Sequence, residues 1–175
     1  MSDQAHRDER EGRRLALGAV FEADFGQNTG IRVLERRIEE EGTAPAAAEH
    51  ARRIVLAVTE HRDTIDARIG AAAPAYPVVQ LARMDRALLR SGMAELLHCP
   101  TTPARVAISE WVELARTYSG DPARRLVNGV LGRVSRETTG ERTPRPPKPG
   151  SKTGKKSQSE SQPLPGLNDS RGSAE

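Results

Sequence analysis

Apolar side chains recur every three or four residues along nearly all of residues 7–137, and no segment alternates apolar and polar residues over the length of a strand. This spacing places the apolar side chains on one face of a helix. The pattern breaks only at short runs rich in glycine, proline or alanine, such as 26–30, 42–45 and 71–77. The sequence therefore predicts an all-α fold, a compact bundle of about six to seven helices. The predicted helices span about residues 7–25, 31–41, 47–69, 81–97, 104–118 and 122–136.

The turn between the last two predicted helices has clear signals. Gly120 can end one helix in the left-handed conformation, and Asp121-Pro122 can open the next, with Asp as the cap and Pro at the first helical position. Within that last helix, Gly129 interrupts an apolar pattern, at a cost of about 1 kcal/mol relative to alanine. A helix usually tolerates this loss where the missing side chain lets another backbone or a partner come close, so we expect a close approach there.

Basic charge is distributed unevenly along the chain. Residues 1–137 contain 20 Arg, no Lys and 20 Asp plus Glu, whereas the remaining residues contain seven Lys plus Arg and four Asp plus Glu. Arginine suits phosphate recognition because its guanidinium group binds oxyanions in a bidentate manner. GC-rich codon usage would also replace lysine by arginine, so the composition alone leaves both explanations open.

Several functional classes find no support. The single cysteine, Cys99, excludes an internal disulfide and a thiolate metal cluster, and the four histidines lack metal-ligand spacing. No glycine-rich phosphate loop and no partnered nucleophile is evident, so we expect no catalysis, cofactor or metal. The polar N-terminus shows no secretory signal or membrane span, which predicts a cytoplasmic protein without a membrane partner.

The segment 138–175 differs from the rest of the chain. It holds six prolines, many serines and glycines, and only two large apolar residues. Such a composition cannot bury enough surface to offset the entropy of ordering, so we predict a disordered tail after a domain over residues 1–137. The tail lysines form a loose basic arm, which could attract RNA or simply keep the protein soluble. They are Lys148, Lys152, Lys155 and Lys156.

Three blocks of the sequence resemble one known family. Val106–Glu110 with Glu113–Arg116, followed by Val127–Leu131, are similar to the C-terminal signature of the NusB family of bacterial antitermination factors, "VAINEAxELAK…FVNGVL". Met84–Arg90 with the following Ala94–Leu97 resembles the family's fourth helix, and Arg13–Phe21 resembles its first. The resemblance covers about residues 7–137.

This resemblance implies a non-enzymatic, RNA-binding protein. NusB-like factors bind the boxA element of nascent RNA together with NusE, a protein of the small ribosomal subunit. They help RNA polymerase read through terminators, above all in ribosomal RNA operons. They occur as monomers and as dimers, so a homodimer is compatible with RNA binding.

The resemblance also points to the first helix as the RNA-binding segment. Arg7, Arg10 and Arg14 stand three and four residues apart, hence on one helical face, with Arg13 alongside. Four phosphate contacts to single-stranded RNA would give a log–log salt slope of about −3. The alternative is a self-paired helix start, because acidic residues interleave and Arg7–Glu11 and Glu9–Arg13 have ion-pair spacing.

Other candidate site residues each have an ordinary structural alternative. Phe21 could stack on a base or pack in the core. Arg124 and Arg125 could contact phosphates or remain unpaired on the surface.

The basic partner expected from the resemblance favours carboxylates as docking residues. Asp85 could contact this protein or pair with Arg83 or Arg86. Glu110 and Glu113 are weaker candidates for the same role. Trp111, at core spacing, is expected to be buried.

Two rival functions stay open. Some ribosomal RNA cytosine methyltransferases carry a NusB-like module at their N-terminus, so the chain could be an accessory module of such an enzyme system. The short polar stretch after residue 137 leaves no room for a cofactor-binding sheet, which argues against that alternative. The second rival is a homo-oligomeric interaction protein without an RNA role, packed through the Gly129 face.

Overall fold

The computed structural model describes residues 3–140, and within them the chain forms helices and turns but no strand. The prediction of an all-α bundle is confirmed. The predicted tail begins at residue 138, but Thr138 still belongs to the last helix. Residues 141–175 of that tail lie outside the described residues, so the prediction of disorder stays untested. The helices are α1 (Asp3–Ala23), α2 (Gly30–Glu41), α3 (Pro45–Glu60), α4 (Arg62–Ala72), α5 (Arg83–His98), α6 (Ala104–Ser119) and α7 (Asp121–Thr138), with a 3-10 turn at Val78–Gln80.

The long third helix predicted for residues 47–69 is two helices, so that prediction is wrong in one respect. The chain leaves helical geometry at His61, which separates α3 from α4, and Gly70 lies inside α4 rather than ending it. Val58 and Ile65 still face the core on either side of the break. Apolar spacing identifies the inward face of a helix but not a change in the direction of its axis.

Two glycines allow helices to approach closely around the core. A Cβ atom on Gly12 would lie 2.7 Å from the carbonyl oxygen of Ala47, which shows how closely α1 packs against α3. A Cβ atom on Gly92 would lie 2.9 Å from Leu131 of α7 and 3.1 Å from the Trp111 ring of α6. Helix α1 packs against α2, α3 and α5, and α6 packs against α5 and α7.

The turn between α6 and α7 depends on Gly120. Its φ of +87° and ψ of −172° lie in a region that is open essentially to glycine, although outside the left-handed helical region that we predicted. Gly120 both ends α6 and precedes α7, so Asp121 is the first residue of α7 instead of its cap. The Asp121 carboxylate accepts a hydrogen bond from Arg124 Nε at 3.0 Å.

Gly129 has a different environment from the one expected. No atom of the described residues comes within 4 Å of the position that its Cβ would occupy, apart from the helix itself and its chain neighbours. The glycine is exposed on α7, so no neighbouring backbone explains its presence.

None of the helices in residues 3–140 is long and apolar enough to cross a membrane.

Candidate nucleic-acid interface

The first helix presents three arginines to solvent on one face, as predicted. Arg10 keeps 64% of its side chain exposed while its Nε donates to Glu110 of α6 at 3.0 Å. Arg14 donates from Nη2 to Glu41 of α2 at 2.5 Å. These two contacts attach neighbouring helices to α1. Arg7, near the helix start, donates to Gln4 at 3.0 Å.

Side-chain oxygen atoms of the same chain thus bind the arginines of this face and partly neutralise its positive charge. The hydrogen bond from Arg14 to Glu41 is the main reason that the pKa of Arg14 is raised. Because exposed ion pairs contribute only about 0–1 kcal/mol, a phosphate group can replace such a partner at little cost. The intramolecular contacts by themselves therefore do not exclude phosphate binding at this face.

Arg13 does not belong to this face, and the expectation that it contacts RNA is wrong. Its side chain is 1% exposed and points into the bundle. Arg13 Nε lies 2.9 Å from Glu95 Oε2, and Nη2 lies 2.8 Å from Glu95 Oε1, a bidentate pair between α1 and α5. The predicted Glu9–Arg13 pair also forms, at 3.6 Å. A buried guanidinium group bound to a carboxylate is unavailable to a phosphate.

Glu95 is the centre of this buried polar cluster, and sequence analysis did not identify it. Trp111 Nε1 donates to Glu95 Oε2 at 2.6 Å, and His50 Nε2 lies 3.1 Å from Glu95 Oε1. Burial raises the pKa of the Glu95 carboxyl, but the hydrogen bonds and charges of His50 and Arg13 outweigh it and lower the pKa to about 2. The cluster joins α1, α3, α5 and α6 beneath the basic face, and it confirms that Trp111 is buried.

Phe21 adopts the structural alternative, because it packs half-buried against the core. The exposed aromatic residue at this end of α1 is Phe25, with 53% of its surface accessible. The two rings meet edge to face, with centroids 5.4 Å apart. Sequence analysis placed both residues on the same helix but could not tell which of them faces solvent.

Two predicted sites separate in space. Glu113 of α6 hydrogen-bonds to Arg116, and that bond, with the charges of Arg116, Arg10 and Arg124, lowers the pKa of its carboxyl group. Glu110 and Glu113 thus lie among the arginines of the α1 side. Asp85 lies elsewhere, at the start of α5, and accepts a hydrogen bond from Ser119 Oγ instead of pairing with Arg83 or Arg86.

Asp85 borders an apolar cleft with a volume of about 730 Å³. The segment after α4, the start of α5 and one side of α7 form its walls, and Tyr76, Arg125 and Gly129 line it. The open space beside Gly129 is therefore part of this cleft. Arg125 lies here and not with the α1 arginines. Tyr76 carried no sequence signal, since it lies in a proline- and alanine-rich connector.

Other polar groups stabilise the bundle. Arg90 Nη1 lies 3.0 Å from Asp24 Oδ1 and Nη2 lies 2.7 Å from Asp66 Oδ2, which ties the end of α1 to α4 and α5. Burial raises the pKa of the Cys99 thiol to about 11, which favours the protonated, weakly nucleophilic form. Within residues 3–140, no cluster of three or more His, Cys, Asp or Glu side chains could hold a metal ion.

Comparisons with known proteins agree with this architecture. The model of the NusB family matches residues 10–136. The transcription antitermination protein NusB of Chloroflexus aggregans is 40% identical over 144 residues, covering 81% of this chain and 93% of that protein. NusB of Dehalococcoides mccartyi is 37% identical over 127 residues, covering 73% of this chain and 89% of that protein.

Solved structures show the same fold. A structure of NusB from T. maritima aligns with a TM-score of 0.68 at 30% identity, covering 74% of this chain and 91% of that one. A crystal structure of the antitermination factors NusB and NusE in complex with double-stranded RNA aligns with a TM-score of 0.68 at 23% identity, covering 75% of this chain and 98% of that one. With its sequence matched by the family model and its helices arranged as in solved relatives, the chain belongs to the NusB family.

Proposed function

We propose that this protein is a transcription antitermination factor that binds boxA-type RNA together with ribosomal protein NusE. In this role it helps RNA polymerase read through terminators in ribosomal RNA operons, in the cytoplasm. The main support, besides the family, is the exposed row Arg7, Arg10 and Arg14 along α1. Its function is recognition, and no step of it requires a chemical reaction.

The geometry suits a single strand of RNA. Three phosphate contacts would give a log–log salt slope of about −2, less steep than the slope of about −3 for four contacts. The three guanidinium groups stand on a helix that the buried Arg13–Glu95 pair anchors to α5. Since Arg124 acts electrostatically on Glu113 together with Arg10, it is a candidate fourth contact.

A separate surface suits the protein partner. The cleft beside Asp85 combines an apolar floor with a carboxylate at its border, which suits a basic partner that also inserts an apolar side chain. Glu110 and Glu113 have no partner role in this proposal because they lie among the arginines. RNA and protein would then occupy different faces, and their joint binding would increase affinity for the strand.

The rival functions have less support. The relatives from Chloroflexus and Dehalococcoides are named as antitermination proteins, and this chain covers about nine-tenths of their length. This observation favours the factor over an accessory module of a methyltransferase system. A homodimer through the Gly129 face would compete with the protein partner for the same cleft.

Two triple variants test the RNA face. We expect the substitutions Arg7→Ala, Arg10→Ala and Arg14→Ala together to weaken binding to a boxA-type RNA and to remove most of its salt dependence. The control replaces three exposed arginines outside α1, so that both variants lose the same charge. The control substitutions are Arg32→Ala, Arg62→Ala and Arg136→Ala.

The measurement is RNA affinity at several salt concentrations, with and without NusE. Equal losses in both triple variants would show that only net charge matters and would refute the α1 face. A wild-type protein that binds neither boxA-type RNA nor NusE would refute the proposed function itself.

A further inference from the structure

The exposed face of α1 continues beyond its arginines. Counting along the helix from Arg14, the same face passes through Gly18 and Phe21 and reaches Phe25 in the turn just after the helix, at spacings of four, three and four residues. From Arg10 to Phe25 this row is about 22 Å long at 1.5 Å per residue. A row of this length gives room for several nucleotides of an extended strand.

Gly18 lets a further cation lie on this row. A Cβ atom there would lie 3.4 Å from Arg37 Cζ, so the guanidinium group of Arg37, on α2, lies across the gap in the α1 surface. Arg37 Nη2 is 3.2 Å from Glu22 Oε2, so this cation too has an exchangeable partner. Positive charge therefore extends along the row from the arginines towards the aromatic end.

The aromatic end has the character of a stacking surface. The Arg83 guanidinium carbon lies 4.2 Å from the centre of the Phe25 ring, yet more than half of Phe25 stays exposed. The Phe21 ring packs against it at nearly a right angle. An exposed phenylalanine loses the benefit of burial, and a purely structural role would favour a covered ring. The nearby carboxylate of Asp24 is neutralised by Arg86 and Arg90 and does not repel an RNA strand.

We infer that Phe25 and Arg83 form a base-stacking platform at the end of the RNA-binding row of α1. The inference rests on the proposed function, and its ligand is an unstacked base of single-stranded RNA. Aromatic rings and arginine guanidinium planes are the groups on which proteins stack such bases. The arginines of α1 and α2 would hold phosphates, while the platform fixes where the strand ends on the protein.

The test compares three single variants in binding a boxA-type RNA in the presence of NusE. Phe25→Leu keeps an apolar side chain but removes the ring, so we expect about five- to a hundredfold weaker RNA binding, the range for loss of one stacked base. Its salt slope should stay unchanged because no phosphate contact is lost. Phe25→Tyr keeps an aromatic ring and should bind the RNA as tightly as the wild type does. The control is Leu56→Ala on α3, an exposed apolar residue that lies outside both the row and the cleft, which should leave RNA affinity unchanged.

The outcomes separate this inference from the proposed function. If the wild type binds the RNA and Phe25→Leu binds it equally well, the platform is refuted while the proposed function stands. If Phe25→Leu weakens binding of NusE alone, or if Phe25→Tyr fails to restore RNA affinity, the residue has another role and the inference is also refuted. Failure of the wild type to bind any boxA-type RNA would refute the proposed function first.

Discussion

Two neighbouring arginines of α1 show how much a single position decides. Arg14 is 42% exposed and bound to a surface carboxylate, whereas Arg13 is 1% exposed and bound to a buried one. The sequence predicted the exposed face from helical spacing, but it assigned Arg13 to the margin of that face. The partner that draws Arg13 inward is Glu95, 82 residues away. A signal for it existed, because Leu88, Gly92 and Glu95 share the core spacing of α5, but a lone carboxylate at core spacing does not reveal its partner.

We predict opposite consequences for these two arginines. Arg13→Gln should lower the free energy of unfolding by about 3–5 kcal/mol, because it leaves the Glu95 carboxylate buried without its cation. Arg14→Gln should change it by less than about 1 kcal/mol, as is usual for exposed pairs. Urea unfolding of both variants gives the measurement. Similar stabilities of the two variants would contradict the assignment of Arg13 to the buried cluster.

At the scale of the helices, the sequence predicted the kind of secondary structure and the approximate number of helices better than it predicted where the helices bend and touch. Apolar periodicity located each helix to within a few residues, but it joined α3 to α4 because the inward face continues past His61. It also marked Gly129 as a site of close approach, whereas that contact occurs at Gly92. A glycine in a helix indicates that a side chain is disfavoured there, but only the packed neighbours show whether a contact within the chain or a contact with a partner is the reason. At Gly129, no contact within the described residues requires a glycine.

The two glycines give a matched pair of variants. Gly92→Ala places a methyl group against Leu131 and Trp111, so we expect destabilisation by about 1–3 kcal/mol. Gly129→Ala meets open space and should stabilise α7 by about 1 kcal/mol. Melting temperatures of both variants test this, and destabilisation by Gly129→Ala would show that the cleft is closed in solution. If a partner fills the cleft, Gly129→Ala should weaken partner binding despite its gain in stability.

At the scale of the whole molecule, buried charge couples stability to pH. The pKa of Glu95 is about 2 in the folded protein against an ordinary value of 4.5. A lowered pKa means that the stabilisation is complete above pH 4.5 and is lost as the pH falls towards 2. At Asp24 burial raises the pKa of the carboxyl group, but the hydrogen bonds and charges of Arg86 and Arg90 outweigh it, so the pKa is lowered. Hydrogen bonds from arginines are the main reason that the pKa values of Glu22 and Glu35 are lowered.

We therefore predict that the wild type loses stability in acid and that the stability of Glu95→Gln depends less on pH. The variant should be several kcal/mol less stable than the wild type at neutral pH, because Arg13 keeps its charge without a carboxylate partner. The difference between the two proteins should shrink as the pH falls from 4.5 to 2, where wild-type Glu95 becomes protonated. Denaturant unfolding at a series of pH values measures this difference. A difference that is constant over that range would contradict the low pKa.

The oxygen partners on the outer face of α1 have one more consequence, for discrimination among polyanions. Arg7, Arg10 and Arg14 each already hold an oxygen atom of their own chain. Because such exposed contacts are weak, any polyanion can displace them at little cost, and charge alone does not distinguish boxA-type RNA from DNA or bulk ribosomal RNA. Selection of a particular strand would then depend on contacts with its bases, or on a second protein that binds together with it. The arginines on the outer face of α1 would therefore orient a polyanion without choosing its sequence.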